Sequence, residues 1–249
     1  MSLVAYTGSA PTFAERVMGL LDKVDYGQAA TDQEKDAVFR LRYDAYLREG
    51  AIGKNFSRRL SDRFDDLDNA FIFGVFVDGR LVSSIRLHVS SSAYPELPAL
   101  GVFSDILGPE IEAGRTIIDP TRFVVDHGAA KVYPELPYVT TRIGLMAGEH
   151  FGADAILATV RTEHQAFYRR VFGHEVLADA RPYPTLVKPL SLMRLDYFAM
   201  KERVHQRYPF FRSTAFERRM LFGGAGAVWA SEPETAAVTE SAEAEAVAG

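Results

Sequence analysis

The densest run of chemically capable side chains lies between Asn55 and Asp68, where Arg58, Arg59 and Arg63 face Asp62, Asp65, Asp66 and Asp68. Asp65-Asp66-Leu67-Asp68 lacks the glycine and the terminal glutamate of a calcium loop, so these acids read as partners for arginine and not as metal ligands. A second candidate is Asp119, immediately before Pro120 in a β-rich run. A proline cannot donate to a sheet ladder, so it marks a bulge or an unpaired position, and a carboxylate held there can take up a proton. The six histidines show no ligand spacing. With no cysteine in the chain, thiolate nucleophiles, thiolate zinc sites and disulfides are excluded. Gly223-Gly224-Ala225-Gly226 neither follows a strand nor opens a βαβ unit, and no Gly-x-Ser-x-Gly elbow occurs. Carboxylates, arginine forks and backbone amides remain.

Those groups must be positioned by the surrounding elements. Pro11 to Val24 has helical spacing, and Thr31-Asp32-Gln33-Glu34 is a capping box for a helix running to Arg48, ended by Gly50 and Gly53. Phe71–Val77 and Leu81–Val89 flank Asp78-Gly79, a strong hairpin signal. Ser90–Gly114, punctuated by prolines, reads as loop, and Thr116–Val125 as a strand broken at Pro120. Tyr138–Phe151 and Glu163–Val171 read as helices around a buried strand at Ala155–Val160. Strands at His174–Ala178 and Thr185–Leu195 follow, then a helix over Asp196–Arg207 and a capping box at Thr214 to Glu217. This order predicts an α/β (α+β) fold. Its mixed sheet is mostly antiparallel and flanked by helices, with a parallel pair from 116–125 and 154–160. If that pair splays, free backbone amides face an amide-bearing ligand.

With 249 residues the chain can bury a full core. Its net charge of −5 equals the five glutamates beyond Ser231, which have no base among them, so the remainder is neutral and carries no overall excess for nucleic acid. The reading is one domain over 1–230 and a disordered acidic tail over 231–249. Without an apolar leader or a spanning run, the expected location is the cytoplasm, with no transmembrane segment.

Four fragments recur, in order, in a known family: Phe39-Arg40-Leu41-Arg42-Tyr43-Asp44-Ala45-Tyr46, Asp65-Asp66-Leu67-Asp68, Ser84-Ile85-Arg86-Leu87, and Asp119 through Asp126. Together they resemble the signature of the acyl-homoserine-lactone (autoinducer) synthases and of the related N-acyl amino acid synthases, over roughly residues 31–198. The resemblance implies the GNAT fold and transfer of an acyl group from a phosphopantetheine thioester to an amine. It implies no permanently bound cofactor. The co-substrate is the thioester on acyl carrier protein or coenzyme A, and the implied partners are acyl carrier protein and a small amine such as an amino acid. Ile52 stands near a tryptophan of the lactone synthases, Asp119 replaces their glutamate, and Thr141-Arg142-Ile143-Gly144-Leu145 has no second glycine for a pyrophosphate loop. The first two departures argue against S-adenosylmethionine as acceptor, and the third against acetyl-coenzyme A as donor. Leu47–Ile52 and Pro189–Met193 look more like the N-acyl amino acid synthases.

Carried over residue by residue, the resemblance makes Asp119, Arg122 and Arg86 catalytic. It makes Arg42, Tyr46, Thr121, Phe123 and the acid pair Asp65 and Asp68 substrate-binding. Arg161, Arg169 and Arg170 lie near the implied thioester mouth, where a basic cluster can dock an acidic carrier. Phe167–His174 resembles the segment that covers the thioester ligand. Aminolysis needs an unprotonated amine, a polarised carbonyl and close alignment, which a carboxylate and strand amides can supply. The same arginines and acids also fit an ion-pair lattice pinning the first helix to the sheet. A lactone synthase, a coenzyme A-dependent acetyltransferase and a non-catalytic acyl sensor are the competing readings.

Overall fold

A computed structural model describes residues 10–223, apart from residue 185; the expected tail lies outside the described residues. Seven strands form one sheet: β1 (Val24–Gln28), β2 (Ala70–Val77), β3 (Arg80–Val89), β4 (Ile117–Val125), β5 (Ala155–Val160), β6 (Glu175–Arg181) and β7 (Leu190–Asp196), in the order β1-β2-β3-β4-β5-β7-β6. Every neighbouring pair is antiparallel except β4 and β5. The β2–β3 turn forms as expected, with Asp78 and Gly79 both at positive φ (51° and 75°), the twist a two-residue hairpin needs.

The helices cover both faces. On one side α1 (Phe13–Leu21), α5 (Leu136–Phe151), α7 (Tyr197–Arg207) and α8 (Ala215–Phe222) enclose the larger core, where Phe73, Ile85, Leu87, Ile118, Ile143 and Phe211 are fully buried. On the other side lie α2 (Asp32–Arg48) and α3 (Leu100–Glu112). The capping box of α2 is present: Thr31 Oγ1 accepts from Glu34 N at 3.3 Å, and Glu34 Oε2 accepts from Thr31 N at 2.7 Å.

Three elements depart from the sequence reading, among them the short helix α4 (His127–Val132), and the strand expected over Thr185–Leu195 forms only from Leu190. The segment 90–114, expected as loop, contains α3. Its helix bends at Phe103 (φ −124°, ψ 34°) and carries Pro109 internally, both of which hide it from a propensity reading. Burial of Phe103 and Leu107 against Leu97, Ile117, Leu157 and Leu192 stabilises it nonetheless. The strand β1 was not foreseen either; five residues with a glycine among them carry little pattern, and pairing along β2 supplies the order.

The parallel pair is short. Ile117 pairs with Ala155 and Ile118 with Ile156, and there the β4–β5 register ends. Beyond it the strands part around Pro120, leaving a notch lined by Ile85, Pro120, Phe123, Leu157 and Ala158 from the sheet, Gly144 and Leu145 from α5, and Tyr168, Phe172 and His174 from α6 (Gln165–Val171) and its C-terminal turn.

Candidate active site

Alternation along β3 places Ile85 and Leu87 in the α5-side core and Arg86 and His88 on the α2 side. Opposite them, Thr121 faces Arg86 and Asp119 faces His88. Between Ser84 and Arg86 the register slips, with Arg122 and Phe123 on β4 set against Ile85 alone. Arg122 takes a left-handed backbone (φ 53°) at this bulge, a conformation costly for a residue with a Cβ. The bulge lets consecutive side chains reach one cluster: Thr121 Oγ1 accepts from Arg86 Nε at 3.1 Å, while Arg122 turns onto the carboxylate that Arg86 also holds.

That carboxylate is Asp62. Its Oδ1 accepts from Arg86 Nη1 at 2.6 Å, and its Oδ2 from Arg122 Nη2 at 2.6 Å and Nε at 3.2 Å. Burial alone would raise its titration point, but Arg86 and Arg122 outweigh it and hold Asp62 well below the usual carboxylate range. Asp65, one turn along the 3-10 helix Arg63–Asp66, accepts from Arg42 Nη1 at 2.7 Å and lies 2.8 Å from Arg86 Nη1. Arg42 itself is wholly buried, which pushes its guanidinium down to about 10 despite Asp65. Among the described residues Arg42 Nε and Nη2 have no hydrogen-bond partner. Tyr46, one turn after Arg42 on α2, lies against the Arg122 guanidinium, 5.5 Å from ring centroid to Cζ.

Asp119 stands beside this cluster without an ion pair among the described residues. It is fully buried, its Oδ2 accepts from Ala99 N at 2.9 Å, and its Oδ1 has no partner among the described residues. Burial pushes its carboxyl up to about 6 against the pull of Arg86 and the Ala99 amide. His88 donates from Nε2 to the Phe64 carbonyl at 2.8 Å; burial, with Arg86 nearby, pushes its ring down to about 4, so it is neutral. Tyr183, on the connection between β6 and β7, lies within electrostatic reach of Asp119, Arg122, Arg86 and Asp62.

The structure therefore gathers Arg42, Arg86, Arg122, Asp65, Thr121 and Tyr46 into one constellation, with Asp119 adjoining. It separates the other expected residues. Asp68 is exposed and outside the cluster; the acid pair is Asp62 and Asp65. The chain repeats aspartate at 62, 65 and 68, so the same three-residue spacing fits one step late, and only capping of the 3-10 turn by Asp62 fixes the register. Phe123 lies on the wall of the notch. Arg161 is tied to Glu49 (2.7 Å) and Glu163 (3.3 Å). Arg169 and Arg170, at the far end of α6, line a cavity of about 820 Å³ together with Arg194, Arg203 and Arg207. Tyr168, whose hydroxyl has no hydrogen bond among the described residues, and Tyr183 were not singled out; a lone tyrosine in a sequence gives no such signal. Among the described residues no group of histidine, aspartate or glutamate side chains converges on a metal-binding arrangement, and no helix is long and apolar enough to cross a membrane.

A mixed sheet with a splayed parallel pair, an arginine–aspartate cluster on one side and a notch on the other is the architecture of an N-acyltransferase of the GNAT type. Solved structures of the same fold include FeeM, an N-acyl amino acid synthase from uncultured soil microbes, with a TM-score of 0.58 and 19% identity over 70% of this chain and 91% of that one. They also include the acyl-homoserine-lactone synthase LasI (TM-score 0.53, 12% identity, 82% of this chain and 96% of that one). TofI, solved with an inhibitor and MTA, matches with a TM-score of 0.53 and 14% identity over 76% of this chain and all of that one. No curated protein sequence matches the chain. The family model for the N-acyl amino acid synthase FeeM matches residues 37–196. The chain belongs to the FeeM family of N-acyl amino acid synthases and is an N-acyltransferase.

Proposed function

We propose that the chain transfers a medium or long acyl group from the phosphopantetheine thioester of acyl carrier protein to the amine of an amino acid. The observation that carries this reading is Asp119: a buried carboxylate with a free Oδ1, titrating near 6, on the strand that leaves β5 to open the notch. The amine attacks the thioester carbonyl carbon as its proton passes to Asp119, directly or through a water; the C–N bond forms and the C–S bond breaks. Backbone amides of β4 facing the notch polarise the carbonyl oxygen. Tyr168, kept protonated by burial, supplies a proton to the leaving thiolate. Arg86 and Arg122 hold the loop carboxylate Asp62, and the unpaired Nε–Nη2 edge of Arg42 suits the acceptor's own carboxylate.

The carrier reading rests on the arginine-lined cavity, where Arg169 and Arg170 are joined by Arg203 and Arg207 against the acids Glu175 and Asp196, while Arg194 on the same wall is tied to Glu110 at 3.2 Å. An acidic carrier is drawn to such a surface. Thr141–Leu145 lies inside α5, so a phosphate loop would have to be the connection before that helix, residues 126–135, which holds a single glycine, Gly128, and no glycine-rich loop to favour free coenzyme A. Mass spectrometry of lipid extracts from cells overproducing the chain tests the reading. N-acyl amino acids are expected; acyl lactones, or no new species, would overturn it.

A further inference from the structure

The proposed reaction leaves one buried polar group of the notch unused. Ile85, Phe123, Leu145, Ile156, Leu157 and Phe172 make the notch apolar, and His174 interrupts them. Its ring is 3% exposed, stands edge-on to Tyr168 and Phe172 with centroids 5.5 and 5.7 Å away, and also forms part of the wall of the arginine-lined cavity. Burial pushes it down to about 3, so the imidazole is neutral and offers one donor and one acceptor. The carbonyls of Tyr168 and Ile156 approach the ring, yet among the described residues neither Nδ1 nor Nε2 has a partner within hydrogen-bond geometry. Gly173 fixes the turn that presents it: φ is 87°, and a Cβ there would stand 2.4 Å from Met200 Cε.

A buried donor and acceptor left unmade are costly, and native structures seldom keep them without a use. The notch measures about 40 Å³, enough for a water, which His174 and the Tyr168 hydroxyl on the same wall could share; Thr141, another hydroxyl there, already donates to the Pro137 carbonyl at 2.6 Å. A hydroxyl entering with a ligand would displace that water and take over its bonds. We propose that His174 reads a hydroxyl on the acyl chain, so that the preferred donor carries a hydroxyacyl group and not a plain hydrocarbon one. A hydroxyl both donates and accepts, which matches a neutral imidazole; a methylene offers neither.

This inference rests on the notch receiving the acyl chain, as in the reading above, but binding tests it apart from turnover. Non-hydrolysable acyl-pantetheine thioethers of one chain length, plain or with a single hydroxyl stepped along the chain, are titrated calorimetrically into the whole protein and into His174→Leu and His174→Asn. At one hydroxyl position the unaltered protein should bind the hydroxylated analogue about tenfold more tightly than the plain one. His174→Leu should abolish that preference, and His174→Asn should keep part of it, so the asparagine variant carries the test if the leucine variant fails to fold. Three results would overturn the inference: no hydroxyl preference at any position, a preference that survives in His174→Leu, or an equal weakening of plain and hydroxylated analogues, which would assign the ring to the thioester or the pantetheine. If the preference is found but bound donors are never turned over, the acyltransfer mechanism fails and the hydroxyl site stands.

Discussion

Arg42 and Asp119 represent opposite solutions to burying charge. Arg42 is ion-paired at 2.7 Å to a carboxylate that is itself buried, so truncating it leaves Asp65 with Arg86 as its one remaining arginine. Arg42→Ala should lower the unfolding free energy by about 3–5 kcal/mol, measured by urea denaturation. Arg122→Ala should reduce transfer at least ~100-fold, because the loop carrying Asp62 loses its second anchor and the acceptor site loses alignment. Full turnover by a folded Arg122→Ala protein would refute the assignment. Asp119 titrates above its unfolded value of 3.8, at about 6. Its protonated form is therefore favoured by folding, and its contribution to stability falls as pH rises from 4 through 6. Activity should move the other way, rising through pH 6 as the base ionises. Asp119→Asn should remove both dependences, and a pH–rate profile of the variant that keeps the limb near 6 would exclude Asp119 as the base. Arg42, Tyr46, Arg86, Asp119, Thr121 and Arg122 were legible through the family resemblance of the fragments that carry them, because the Asp78-Gly79 turn fixes only how β2 pairs with β3 and leaves the partner of β4 open. Asp62 was not, since three evenly spaced aspartates give no register without the helix they cap.

At the scale of elements, the bulge and α3 show where sequence patterns lose force. Pro120 announced an irregularity in β4, yet not that Arg122, two residues later, would adopt the left-handed backbone that places it on Asp62. The helix α3 was invisible because glycine and proline interrupt it, and its stability comes from contacts made across the sheet. Phe103 lies at its kink and is fully buried; Phe103→Ala should cost about 3–5 kcal/mol. Ala99, just before α3, gives its amide to Asp119, so the same substitution should also shift the pH–rate profile. A loss of stability with the profile unmoved would show that α3 does not position the base.

On the scale of the whole molecule, charge is distributed unevenly although most of the chain is neutral. The arginine-lined cavity lies at the C-terminal end of α6, while Arg161 is committed to Glu49 and Glu163. If carrier protein docks at the cavity, kcat/KM with acyl carrier protein should exceed that with acyl-coenzyme A and fall steeply with salt, as the Debye length shrinks from about 10 Å at 0.1 M to about 3 Å at 1 M. Reversing Arg169 and Arg170 to glutamate should slow the carrier-protein reaction selectively. Equal efficiencies, insensitive to salt and to those reversals, would favour coenzyme A as donor.

The brevity of the β4–β5 ladder has a further mechanical consequence. Four strands on one side and three on the other meet in a ladder of two register pairs, Ile117–Ala155 and Ile118–Ile156, with Thr116 and Asp154 bonded to each other just before it. An extended amide-bearing arm lying in the gap would act as an eighth strand, with its own N–H and C=O groups continuing the interrupted ladder. Donor occupancy would then couple the two halves of the sheet. Amide deuterium exchange along β5 and the second half of β4 should slow when a non-hydrolysable donor binds, and slow least in β1, at the far edge.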